Sequence, residues 1–136
     1  MDVRTAGAQI AAFVAAPRYG VIATHTAVGE IWQAVVWYAL TDDGILMNAR
    51  DGRRWLTNLR RDGRFSLVIA DGEDYVIVRG QAEVIDDPGR AQREAQLLAD
   101  RYLSDESFVG QDRVSIVLHA EHVAVHGELH LDGPPA

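Results

Sequence analysis

The sequence contains no cysteine and no lysine. Without cysteine there are no disulfide staples, thiolate metal sites, iron–sulfur clusters or cysteine nucleophile. Without lysine all 13 basic residues are arginine, which excludes Schiff-base chemistry on a lysine side chain. Long apolar runs are absent as well. None approaches the roughly 20 residues needed to cross a bilayer, so no integral membrane role is expected. Positive charge is scarce: 20 Asp and Glu against 13 Arg leave a formal charge of −7. An acidic chain is a poor general nucleic-acid binder, because phosphate neutralisation dominates that affinity.

What is present describes a globular domain. The chain has 136 residues, 48% hydrophobic and 24% charged, which excludes a disordered chain, a coiled coil and a collagen-like repeat. A single domain over residues 1–136 is expected, long enough to bury its own core. Ile10 to Ala16 is a short apolar run before Pro17. Its flank carries Asp2, so a short Ala-rich helix is a better reading than a secretion signal, and the protein is expected in the cytoplasm.

Residues 6–15 read as that first helix. Tyr19 to His25 is β-rich, and Ile31 to Leu40 reads as one long strand with three β-branched and three aromatic residues. Asp42-Asp43-Gly44 is a hairpin turn signal leading to a strand over Ile45 to Ala49. Asp51 to Arg61 reads as a short helix closed by Asp62-Gly63. Phe65 to Ala70 and Tyr75 to Ile85 are strands, and Gly80 inside the second marks a bulge or bend. Asp87-Pro88 is an N-cap with proline at the first helical position, opening a helix to about Tyr102. Arg113 to His119 and His122 to His126 read as two last strands, and the tail 128–136 as disordered. Short turns demand antiparallel pairing, and six or seven strands with few helices point to a closed or partly closed barrel.

Six of the 13 arginines lie between residues 50 and 64: Arg50, Arg53, Arg54, Arg60, Arg61 and Arg64. Arg60 and Arg61 fall in the last helical turn, where cations complement the helix dipole. Arg53 and Arg54 fall in the first turn, where the dipole repels them. A bound anion would compensate, because helix N-termini present free N–H groups and Arg offers a fork matched to phosphate oxygens. A solvated basic face, or pairing with the many carboxylates, is the plainer alternative.

The segment Asn48-Ala-Arg-Asp-Gly-Arg-Arg-Trp-Leu-Thr-Asn58-Leu-Arg-Arg-Asp62, followed by Arg64-Phe-Ser-Leu-Val-Ile, resembles the pyridoxamine 5'-phosphate oxidase-like split-barrel flavoproteins. The branch it most resembles is that of the small deazaflavin-dependent oxidoreductases, which use coenzyme F-420. Arg79-Gly-Gln-Ala-Glu-Val and Tyr19-Gly-Val-Ile-Ala-Thr also fit that family. The resemblance implies a mainly β fold, a six-stranded antiparallel split β-barrel, and a homodimer with cofactor sites at its interface. It implies F-420 first and FMN second. Gln33, Ala34 and Val35 would line the ring; Met47, Asn48 and Ala49 the ribityl chain; Arg53 and Arg54 the phosphate. Arg50, Trp55 and Asn58 complete the implied cofactor set, and a partner chain would close the pocket near Tyr75 or the C-terminal strands. Where the family carries a lysine after the arginine pair, this chain carries Trp55. Either Arg50 or Arg54 takes over that role, or the usual cofactor is lost. Trp32 is a second departure, bulky enough to narrow or fill the ring site.

In such proteins the cofactor carries the hydride, so no catalytic triad or carboxylate pair is expected, and catalytic residues stay unassigned. A noncatalytic split barrel holding a flavin, a tetrapyrrole or another hydrophobic molecule is the alternative. His119, His122, His126 and His130 do not make a convincing metal site. On a strand His122 and His126 lie about 13 Å apart, too far for one ion. Trp32, Trp37 and Tyr38 read as core and dimer packing, or as a stacking wall for a flat ligand.

Overall fold

The computed structural model of the chain describes residues 2–131. After a 3-10 turn at Val3–Thr5 the elements run α1 (Ala8–Ala15), β1 (Gly20–His25), β2 (Ile31–Val36), β3 (Ala39–Leu40), β4 (Ile45–Arg50), α2 (Arg54–Arg61), β5 (Arg64–Asp71), β6 (Asp74–Ile85), α3 (Pro88–Arg101) and β7 (Arg113–His126). The seven strands form one antiparallel sheet in the order β2-β1-β5-β6-β7-β4-β3. Its two edge strands, β2 and β3, are consecutive in the chain. The sheet therefore curls on itself, and Trp37-Tyr38 spans the seam.

That seam replaces the single long strand expected over Ile31 to Leu40. Strand propensity runs straight through Trp37 and Tyr38, but tertiary contacts win. The Tyr38 N–H donates to the Tyr102 hydroxyl at 3.2 Å, and the Tyr38 hydroxyl donates to the Ala16 carbonyl at 3.0 Å. Arg101 Nε donates to the Tyr38 carbonyl at 2.9 Å, and Arg101 Nη1 to the Ala15 carbonyl at 2.8 Å. The end of α3 thus holds both the seam and the end of α1. Conversely, the two strands expected over Arg113 to His119 and His122 to His126 are one 14-residue strand. The interruption is absorbed by a register shift between Arg79 and Gly80. A Cβ on Gly80 would lie 2.0 Å from the His119 carbonyl oxygen, so only glycine lets β7 pass.

The barrel interior holds one main core, from Ile10 and Phe13 of α1 through Ile22, Met47, Leu67 and Val78 of the sheet to Trp55, Leu56 and Leu59 of α2. These α2 positions fall on one helical face. Asn58 shares that face and is buried, donating to Thr24 Oγ1 at 3.1 Å. The core also takes Leu129, and Glu128 N–H donates to Asp74 at 2.8 Å. Leu129 is therefore buried and the backbone of Glu128 and His130 is hydrogen-bonded, in contrast to the tail expected there; the rest of that expectation, 132–136, lies outside the described residues.

Tyr38 gives this packing a pH signature. Burial, first of all, pushes its hydroxyl from 10.0 up to about 12. The folded state then holds its proton where the unfolded state has lost it. The resulting stabilisation is complete below pH 10 and disappears as pH rises from 10 towards 12, about 2–3 kcal/mol in all. Urea midpoints should fall across that window, and Tyr38→Phe should flatten the fall; an equally steep decline in the variant would contradict this.

Candidate functional site

A cavity of about 630 Å³ lies beside the seam. One wall is β2. Trp32, Gln33, Ala34, Val35 and Val36, with Trp37 after them, all line it consecutively. Side chains of a strand alternate between faces, so six successive residues can border one cavity only if the strand presents its edge. β2 pairs with β1 alone among the described residues. Its other edge carries free N–H and C=O groups, which a flat heterocycle can engage.

The second wall is Asn48, Ala49 and Arg50 of β4, with Arg53, Arg54 and Trp55 at the start of α2. Arg53 is the N-cap residue with no side-chain cap, Arg54 is the first helical residue, and no acidic residue occupies the first turn. The six arginines of the segment fall into two groups by their partners. Arg60 grips Asp86 through two bonds of 2.9 and 3.0 Å, Arg64 pairs with Asp62 at 2.7 Å, and Arg61 donates to the His25 carbonyl. Arg64 holds the carboxyl group of Asp62, and Arg60 that of Asp86, below the ordinary carboxylate range. Arg50, Arg53 and Arg54 form no ion pair among the described residues, and Arg54 instead lies 4.5 Å over the Trp32 ring.

Of the eleven expected cofactor residues, nine border this cavity: Gln33, Ala34, Val35, Asn48, Ala49, Arg50, Arg53, Arg54 and Trp55. Met47 does not; its side chain is fully buried in the core. Asn58 does not either, because the face it shares with Leu56 and Leu59 turns it to Thr24. Trp55 belongs to core and cavity together, and is only 8% exposed. Trp32 flanks the cavity without filling it.

The third wall escaped the sequence reading. Ala95 and Leu98 of α3, Glu106 and Phe108 of the following loop, and Arg113 at the start of β7 complete the lining. Ala91, Ala95 and Leu98 step at helical spacing along α3, a pattern that signals a buried face but not what it faces. Four guanidinium groups thus meet one carboxylate, Glu106, in a protein of net charge −7. Among the described residues no group of three or more His, Asp or Glu is placed to hold a metal ion. No helix there is long and apolar enough to cross a membrane.

The family profile described as pyridoxamine 5'-phosphate oxidase matches residues 6–127. The chain belongs to that family. Its split barrel is shared with solved structures of low identity. An F-420 reductase is 22% identical with a TM-score of 0.76, covering 83% of this chain and 94% of that one. A conserved hypothetical protein from Mycobacterium tuberculosis is 24% identical with a TM-score of 0.77, covering 99% and 97%. A heme binding protein from Mycobacterium smegmatis is 24% identical with a TM-score of 0.65; the match covers 93% of this chain but only 57% of that one. No curated protein matches in sequence.

Proposed function

We propose that this protein is an oxidoreductase that binds a deazaflavin, coenzyme F-420, or else FMN, noncovalently at a homodimer interface in the cytoplasm, and serves hydride transfer to a small conjugated substrate. The observation that carries this reading is the pairing of an unpaired strand edge with unpaired arginines around one cavity. Its volume of about 630 Å³ lies within the usual range for small-molecule sites. The residues present fit such a cofactor. The β2 edge at Gln33, Ala34 and Val35 would hold a flat ring, Ala49 would border the chain attached to it, and Arg50, Arg53 and Arg54 would hold a phosphate. F-420 leads because of the sequence resemblance and because its anionic tail suits an arginine-rich mouth.

When bound, either cofactor supplies the hydride chemistry. The chain's own residues bind, orient and exclude water. Trp37 and Phe108 cover the cavity on the α3 side, and the guanidinium groups fix one end of the ligand. Calorimetric titration with F-420 and, separately, FMN tests the reading. Micromolar or tighter binding of one supports it; binding of neither sinks it.

A dimer is supported by β2 itself. Ile31 and Val35 are each 70% exposed and Trp32 39%, an apolar edge strand of the kind that a second copy covers. Sedimentation should show a dimer at micromolar concentration, and Ile31→Glu should shift it to monomer. A wild-type monomer would remove the interface from the proposal.

The lack of the family's lysine, with Trp55 in its place, favours a second reading: a noncatalytic barrel holding a flavin, tetrapyrrole or other hydrophobic ligand. The two readings separate on whether bound, reduced cofactor is reoxidised by any acceptor.

A further inference from the structure

Arg113 stands opposite Arg50 in the β4–β7 register. Like charges directly opposed across an antiparallel pair are destabilising, yet both line the same cavity. Arg113 is also held in place. Its Nε donates to Asn48 Oδ1 at 2.9 Å, its Nη1 donates to Gln111 Oε1 at 3.1 Å, and its guanidinium lies 4.5 Å over the Phe108 ring. All three partners are neutral, so none of these contacts carries a counter-charge for it.

The partners are themselves fixed. Asn48 Nδ2 donates to the Ala91 carbonyl at 2.9 Å and lies 3.3 Å from Ser115 Oγ. Gln92 Nε2 donates to the carbonyls of Phe108 and Gln111 at 3.1 and 2.9 Å. Two layers of hydrogen bonds therefore aim one half-buried cation at the cavity. Burial, first of all, pushes its pKa below the ordinary arginine value; the Glu106 carboxylate opposes that shift, and the nearby charges of Arg53 and Arg50 add to it. Among the described residues Glu106 is the one carboxylate of the lining; its charge reaches Arg113, but the two form no ion pair.

We propose that Arg113 is an anion-binding residue of this cavity, gripping one phosphate-type group together with Arg50 and Arg53 and taking the place of the cation that Trp55 displaces. Anion binding stands on the geometry alone; that the anion is a cofactor's phosphate rests on the function proposed above. Asn48 and Gln111 are positioning residues for Arg113. A cation delivered from β7, about sixty residues from the arginine pair in sequence, explains how the pocket keeps its charge without a lysine.

The full chain titrated calorimetrically with inorganic pyrophosphate at constant ionic strength tests this, alongside FMN and phosphate-free riboflavin. Arg113→Gln should weaken pyrophosphate and FMN about tenfold or more, the usual weight of a charge-assisted bond, and leave riboflavin unchanged. Gln111→Glu, at a half-buried loop position, should do the same by placing a carboxylate against Nη1, even if Arg113→Gln fails to fold. Glu106→Gln should tighten pyrophosphate, whereas Arg60→Gln, whose arginine is engaged with Asp86, should change nothing. Pyrophosphate affinity unchanged in both Arg113→Gln and Gln111→Glu, or absent in the wild type, overturns the proposal. Pyrophosphate binding that follows Arg113, with neither F-420 nor FMN bound, keeps the anion receptor and sinks the cofactor reading instead.

Discussion

Replacing Arg53 and Arg54 together by alanine should weaken binding of F-420 or FMN by at least about a hundredfold while leaving the fold as stable as before. Each charge-assisted hydrogen bond to a phosphate contributes about 1.5–3 kcal/mol, so two contribute at least about 3 kcal/mol, or two decades in affinity. The stability side has the opposite sign. A cation in the first helical turn opposes the dipole by about 0.3–1 kcal/mol. Arg54 recovers part of that over the Trp32 ring, at 4.5 Å, a contact of about 0.5–1 kcal/mol at an exposed site. Arg53, at the N-cap, has no such ring contact among the described residues, and its side chain makes no cap hydrogen bond.

Binding and stability therefore move apart in the double variant, and this separates the two explanations of the arginine pair. Residues kept for the fold would lower the melting temperature when removed. Residues kept for an anion lower affinity and leave melting unchanged or slightly higher. Calorimetry and thermal denaturation on the same preparation decide it; a large fall in melting temperature with unchanged affinity would return both arginines to a structural role. Arg60→Ala is the control in which an ion pair, with Asp86, is what disappears.

The arginines of α2 were legible because their logic is local: position along one short helix sorts Arg53 and Arg54 from Arg60 and Arg61, dipole-opposed from dipole-friendly. The N-cap of α3 was legible for the same reason, with Asp87 accepting from the Arg90 N–H at 3.1 Å behind Pro88 at the helix start. The seam at Trp37-Tyr38 was not legible. Nothing nearby breaks a strand there; Tyr102 and Arg101 do so from more than sixty residues away. The joined β7 was hidden by Ala120-Glu121, which read as a gap; Gly80 signalled a bulge in its own strand, but only the pairing shows that β7 runs on past it through a register shift. The α3 and β7 wall of the cavity failed for the same cause. Arg113 reads as an ordinary strand start until the register sets it against Arg50.

Trp55→Lys restores the residue expected at that place in the family, and it should be strongly destabilising. Trp55 is 8% exposed and packs in the main core. Removing a buried Trp typically costs about 3–5 kcal/mol, and a buried ammonium adds desolvation to the lost packing. Against a typical domain stability of about 5–15 kcal/mol, that is a large fraction. A fall in melting temperature of roughly 10–20 °C is expected for a domain of this size. Trp55→Phe should lose much less, because an aromatic ring still fills most of the space. If the lysine were simply missing from an otherwise unchanged phosphate site, Trp55→Lys would keep its melting temperature and tighten FMN or F-420. Loss of stability without tighter binding would instead show that the indole became part of the core and that the cavity's charge is met by its arginines. The position cannot serve both purposes: a side chain that closes the barrel beneath α2 cannot also offer a hydrated cation to the ligand.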